Sequence, residues 1–167
     1  KRAVENLERI RSYGEKKALV IAATGTGKTY MSAFDVKACK PKRLLFVVHR
    51  EEILKKAKET FEKLLPNEMV TFGLLTGNAK QKDADYIFST IQTISKCYQD
   101  YEQNTFDYII FDEAHHATSP SYQCIFEYFH PQFTLGMTAT PERSDQLSVF
   151  DLFDNNVALE VRLHEAL

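Results

Sequence analysis

Runs that are apolar at every position set the first limit on this fold. Residues 18–22 read ALVIA and residues 44–48 read LLFVV, with no polar residue between the apolar ones. A strand with one wet face alternates; a strand apolar on both faces must be covered on both, as the strands of parallel sheets are. Further strands are expected at 71–74, 86–89, 108–112 and 134–137. Between them the period changes. Over 50–65, Ile53, Leu54, Ala57, Phe61, Leu64 and Leu65 recur at spacings of three and four, while Lys55, Lys56, Lys58, Glu59, Glu62 and Lys63 fall opposite, the pattern of a helix with one buried face. Other helices are expected at about 3–13, 28–39, 91–98, 121–129 and 144–152. All five prolines (41, 66, 120, 131 and 141) fall between these segments, where they punctuate without breaking an element. Strands alternating with helices of this length predict a single α/β domain over 1–167: three layers, a mostly parallel central sheet and right-handed crossovers. In such a sheet the chemistry lies beyond the carboxyl ends of the strands.

A hydrophobic fraction of 44% with 26% charged residues suits one packed core and excludes disorder as the main state. No apolar run approaches the ~20 residues that cross a bilayer, and the first 17 residues lack the apolar stretch of a signal peptide. The chain opens at Lys1 without Met, so it is expected to be a piece of a longer protein. Cys39, Cys97 and Cys124 form no CxxC pair, which predicts reduced core thiols in a cytoplasmic protein and no structural zinc. Net charge is only -2, yet residues 1–100 hold 19 basic and 12 acidic side chains, and residues 101–160 hold 10 acidic ones and Arg143 alone. The basic half is either a surface for phosphates or a solvated helix face.

Three motifs follow strands. The first run leads into Ala23-Thr24-Gly25-Thr26-Gly27-Lys28-Thr29 and then a helix. Small residues let backbone N–H groups turn toward a phosphate, and the helix N-terminus adds its positive end. Lys28 then meets the β/γ-phosphate oxygens and the Thr29 hydroxyl ligates Mg²⁺. The usual string carries a Gly where this chain has Ala22; Gly25 and Gly27 serve the tight part of the loop. The second motif, Asp112-Glu113-Ala114-His115-His116, ends the run 108–112. A carboxylate there is costly to desolvate unless a cation meets it; Asp112 fits a Mg²⁺ partner and Glu113 the general base for water attacking a γ-phosphate. His115 and His116 lack the HExxH spacing or nearby Cys of a zinc site, and read as a polar switch or as surface imidazoles. The third, Thr138-Ala139-Thr140-Pro141, follows the last run and is alone no more than a turn before a helix.

In this order, with 84 residues from Lys28 to Asp112 and 26 from Asp112 to Thr138, ATGTGKT, DEAH and TATPER resemble motifs I, II and III of superfamily two helicases. The chain as a whole resembles the first RecA-like domain, an ATP-binding P-loop NTPase unit, near the branch of type III restriction subunits and DEAD/DEAH-box proteins. The resemblance implies ATP and Mg²⁺ as cofactors, Thr24 through Thr29 as the phosphate cradle, Lys28, Asp112 and Glu113 as catalytic residues, and His115, Thr138 and Thr140 as coupling residues. It implies backbone contacts to DNA, or second to that RNA, from Arg50, Thr76, Gly77 and Thr90; the same residues are also ordinary helix starts and turns. No Gln precedes Gln81, so the family's adenine-reading glutamine is expected either upstream of this sequence or not at all. The arginine finger belongs to a second RecA-like domain outside this sequence. The implied function is an ATP-driven helicase or translocase motor half, weakly active alone. The alternatives are the motor part of an ATP-dependent restriction subunit and a nucleotide-binding scaffold without motor action.

Overall fold

The computed structural model describes residues 2–22, 27–66, 69–139 and 149–161. The elements run α1 (Arg2–Ser12), β1 (Lys17–Ala22), α2 (Lys28–Cys39), β2 (Leu44–Val48), α3 (Glu51–Leu64), β3 (Phe72–Leu75), β4 (Tyr86–Thr90), α4 (Ile91–Cys97), β5 (Tyr108–Asp112), α5 (Pro120–Tyr128), β6 (Phe133–Thr138) and β7 (Val157–Val161), with short 3₁₀ turns at Tyr98–Asp100 and Ala114–His116. The strands form one sheet in the order β3-β4-β2-β5-β6-β1-β7, and every neighbouring pair is parallel.

Strands β2, β4, β5 and β6 are buried at every residue, β2 as a wholly apolar run and the others with a few polar residues among the apolar ones. Their side chains feed two cores. On one face Val20, Phe46, Phe88 and Ile110 pack with Leu7 of α1, Val36 of α2 and Phe61 of α3. On the other Ile21, Val47, Ile87 and Phe111 pack with Ile94 of α4 and Ile125 of α5. The expected three-layer α/β domain is therefore observed, with β2, β5 and α2 at the expected bounds. Most of the expected helix 144–152 lies outside the described residues; only 149–152 are seen, and they are helical.

After Phe153 the chain adds an edge strand, Val157–Val161, beside β1. Asp154 and Asn155 reverse the chain with φ of 56° and 59°, a conformation that short polar side chains tolerate. Asn156 then anchors the strand: its Nδ2 donates to the Lys17 carbonyl at 2.9 Å, and its own carbonyl accepts the Leu19 N–H at 2.7 Å. The register advances by one residue between Leu19↔Val157 and Val20↔Leu159, an irregularity typical of an edge. The cysteines, expected in the core, are free and lie outside it, Cys39 exposed and Cys97 and Cys124 half-buried.

One buried charge ties the layers together. Asp35, fully buried on α2, accepts both guanidinium nitrogens of Arg11 at 2.6 and 2.8 Å and the Tyr108 hydroxyl at 2.5 Å. Burial, with Asp35 beside it, pushes the Tyr108 phenol well up, so it stays a donor. The helix that carries Lys28 is thus clamped to α1 and to the strand that ends in Asp112. Removing the cation alone strands a buried carboxylate. Arg11→Met is expected to lose about 3 kcal/mol of stability in urea unfolding; a loss within experimental error would show that the clamp does not support the fold.

Candidate functional site

Parallel strands deliver their carboxyl ends to one edge, and the motif residues stand there. Thr24, Gly25 and Thr26 lie outside the described residues. Gly27 heads α2 with φ 81° and ψ 30°, a left-handed conformation open to glycine at no steric cost. No atom lies within 4 Å of where a Cβ would stand, so backbone angle and not crowding makes glycine suitable. Lys28 follows, half-buried, and its Nζ donates to the Ala22 carbonyl at 3.1 Å. Burial pushes its pKa down, and the charges of Asp112 and Glu113 pull it back up. Thr29 occupies the first turn, its carbonyl held by the Ser32 hydroxyl at 2.7 Å.

Two strands away, β5 ends in Asp112, which is 7% exposed. Its Oδ1 accepts the Glu113 N–H at 2.9 Å. Burial pushes the acid's pKa up, opposed by that N–H and by Lys28. Glu113 is left-handed, with φ 56° and ψ 47°, a conformation that costs a residue with a Cβ about 1 kcal/mol or more and persists where surroundings impose it. One of its carboxylate oxygens, Oε1, is buried with no hydrogen-bond partner. The 3₁₀ turn Ala114–His116 then brings the His115 Nδ1 to 2.9 Å from the hydroxyl of Thr138, fully buried at the end of β6. Thr140 lies outside the described residues.

A cleft of about 510 Å³ joins these groups: Gly27, Lys28 and Thr29 on one side, Asp112, Glu113 and His115 on the other. Tyr30, Ile53, Lys56 and Thr60 also line it, and the sequence reading did not single them out for this. Their signal was helical: Ile53, Lys56 and Thr60 share one face of α3 at i, i+3 and i+7, and Tyr30 follows Thr29 directly.

The four candidate nucleic-acid residues divide. Arg50 begins α3, its side chain 59% exposed and 3.9 Å from Glu52, and it borders the same cleft as Lys28. Gly77 and Thr90 line a neighbouring cavity of about 440 Å³ with Lys80, Lys82 and Lys96. Thr76 is buried, its hydroxyl accepting the N–H groups of Asn78 and Ala79 at 3.2 and 3.1 Å. The Thr90 hydroxyl meets that of Thr93 at 2.9 Å. Both threonines thus shape their turns; of the cations around them Lys80 and Lys96 are exposed, and Lys82 is paired with Asp100 at 2.8 Å. Among the described residues no helix is long and apolar enough to cross a membrane.

Known proteins resemble this chain in sequence and in fold. The family model described as type III restriction enzyme, res subunit, matches residues 1–143. IRC3 of Saccharomyces cerevisiae is 28% identical over 159 residues, 86% of this chain and 23% of that protein. The DNA 3'-5' translocase XPB2 of Sulfurisphaera tokodaii is 32% identical over 133 residues, 78% of this chain and 28% of that one. Among solved structures, the helicase domain of Pyrococcus furiosus Hef superposes with a TM-score of 0.76 at 20% identity, over 94% of this chain and 37% of that one. The chain spans about a quarter of the length of these curated relatives.

The buried acid predicts a pH signature. Because the folded pKa of Asp112 stands above its unfolded value, the native state binds the proton more tightly. The resulting penalty is full above the folded pKa and gone below the unfolded value of ~3.9. Asp112→Asn is therefore expected to melt higher than wild type at pH 7, the gap closing as pH falls to 4. Thermal midpoints across that range test this; a variant that melts lower at pH 7 would contradict it.

Proposed function

The chain belongs to the ResIII family, type III restriction enzyme res subunit, and from that premise we propose that it is the ATP-binding half of a motor that moves along nucleic acid, hydrolysing Mg²⁺-ATP. The observation that carries the reading is the single cleft holding Lys28 and Thr29 opposite Asp112 and Glu113. The residues fit the cofactors. Lys28 offers an ammonium beside a helix N-terminus that suits phosphate. Thr29 and Asp112 offer hydroxyl and carboxylate oxygen, the hard donors that Mg²⁺ takes. When bound, the ion neutralises charge on the β- and γ-phosphates. Glu113, with a buried and unpartnered carboxylate oxygen, is suited to hold the attacking water and take its proton. That oxygen also argues against a scaffold, which has no use for a general base. His115, hydrogen-bonded to Thr138, would pass changes at Glu113 to the end of β6.

The likeness to a translocase that acts on DNA favours DNA over RNA as the track. The family description keeps the restriction-subunit reading alongside; both use the same motor, and a nuclease would lie outside these residues. Lys80, Lys82 and Lys96 around Gly77 and Thr90 supply a cationic surface on the ATP edge, suited to phosphates and blind to base sequence. A cytoplasmic site of action and a second RecA-like domain bearing an arginine finger belong to the same proposal.

The two roles at the cleft separate by mutation. Lys28→Ala is expected to weaken Mg²⁺-ATP binding on the order of 10- to 100-fold, the worth of a charge-assisted contact. Glu113→Gln is expected to retain binding and lose hydrolysis in the full-length protein; equal loss of binding in both would overturn the role of Glu113. Alone, the chain should hydrolyse ATP slowly, and turnover near ~10 per second would refute the need for a second domain.

On the neighbouring surface, binding of single-stranded DNA should weaken with salt. Lys96→Ala should lower the slope of log affinity against log salt by about 1. An unchanged slope would remove this cavity from the track.

A further inference from the structure

Next to the phosphate cleft lies a cluster of different chemistry. Glu113, His115 and His116 each present a ligand-type atom within 4.8 Å of the other two. Glu113 Oε2 stands 4.0 Å from His116 Nε2, and the two imidazole rings are 4.1 Å apart between centroids. Residues at i, i+2 and i+3 do not converge in a regular element: in a strand His115 and His116 point to opposite faces, and in an α-helix Glu113 and His115 do not face each other. The left-handed backbone at Glu113 and the 3₁₀ turn that follows bring them together.

The donor set is selective. Mg²⁺ takes oxygen and holds its waters, whereas two imidazole nitrogens and one carboxylate suit Zn²⁺ and its neighbours in the first transition row. Two supporting contacts are in place. The buried Thr138 hydroxyl fixes the His115 ring from one nitrogen, the outer contact that orients a ligating imidazole. The Glu113 carboxylate is 23% exposed while its Oε1 lacks a partner, so its ligating capacity is not already spent. His116 is 46% exposed and gives an ion a way in. A tetrahedral ion with bonds of ~2.1 Å holds neighbouring donors ~3.4 Å apart, so a cluster whose donors lie within 4.8 Å of one another contracts to bind it.

We propose that Glu113, His115 and His116 form a Zn²⁺ site that shuts off hydrolysis by occupying the general base. The metal site stands on the cluster alone; the inhibition rests on the proposed role of Glu113. An ion there takes the carboxylate lone pairs that would accept the proton of the attacking water. Lys28 and Thr29 are not among its ligands, so nucleotide binding continues while turnover stops. The sequence reading set zinc aside because no HExxH or Cys was present, but that spacing presumes an α-helix, and this turn is not one.

Calorimetric titration of the 167-residue chain with Zn²⁺ alone, and its visible spectrum with Co²⁺, test the site. One equivalent should bind, the Co²⁺ spectrum should be tetrahedral without the near-ultraviolet band of a thiolate ligand, and His116→Asn should weaken binding at least tenfold. Undiminished binding by a folded His116→Asn chain, or a thiolate band, would overturn the site. In the full-length protein under saturating Mg²⁺-ATP, Zn²⁺ should inhibit the wild type and spare His116→Asn, each measured against its own rate without Zn²⁺; equal inhibition of both would overturn the regulatory role. Absence of hydrolysis by the metal-free wild type would count against the proposed function instead, with the titration still deciding the metal site.

Discussion

Every neighbouring strand pair in this sheet is parallel, and the rest of the molecule follows from that. A parallel strand needs a crossover, and helices supply it after β1, β2, β4 and β5, so two helical layers result. All carboxyl ends then meet at one edge, where residues distant in sequence become neighbours. Lys28 and Asp112, 84 positions apart, share a cleft because α2 begins at the exit of β1 and β5 ends two strands away. The His115–Thr138 contact bridges the exits of the adjacent strands β5 and β6. At the opposite pole the Arg11–Asp35–Tyr108 clamp fixes the same helix to the same strand, so the cleft is set by structure at both ends of these elements.

The cleft carries an electrostatic cost that the apo protein only partly offsets. Burial disfavours the ammonium of Lys28 and the carboxylate of Asp112, and each opposes the other's shift. Among the described residues Lys28 donates to one carbonyl and Asp112 accepts the N–H of its neighbour. Polar groups held this way are poised for a ligand that brings both a negative and a positive charge, because binding then completes partnerships that folding left open. A phosphate chain with its divalent ion is such a ligand.

Legibility from sequence followed how each element earns its burial. Central strand β2 is apolar at every position and β5 is apolar up to the Asp112 that ends it, so their bounds could be read directly, and α2 was marked by the glycine at its start. At the edge of the sheet that signal fails. Strand β7, VALEV, interrupts its apolar residues with Glu160, and its place depends on Asn156 pairing with Lys17 and Leu19, a contact between residues more than a hundred positions apart. At the site the residue types were legible and the directions were not. Thr76 and Thr90 have the chemistry of phosphate contacts, yet their hydroxyls are engaged in their own turns; the cations beside them were visible only as part of a diffuse basic half.

The directions come from irregular backbone. Gly27 and Glu113 are both left-handed, one before a helix and one after a strand, and the 3₁₀ turn beyond Glu113 places two histidines beside its carboxylate. Regular elements fix where a chain ends to within a residue, but continuing either helix or strand through Glu113 would turn its side chain away from the cluster that it shares with His115 and His116. At Gly27 the glycine removes the steric cost of the reversal. At Glu113 no glycine removes that cost, and the backbone keeps the conformation directly after β5, which packs between β2 and β6. Among the described residues Lys40, Asp154 and Asn155 share that conformation, and of these left-handed residues with a side chain only Glu113 lines the cleft.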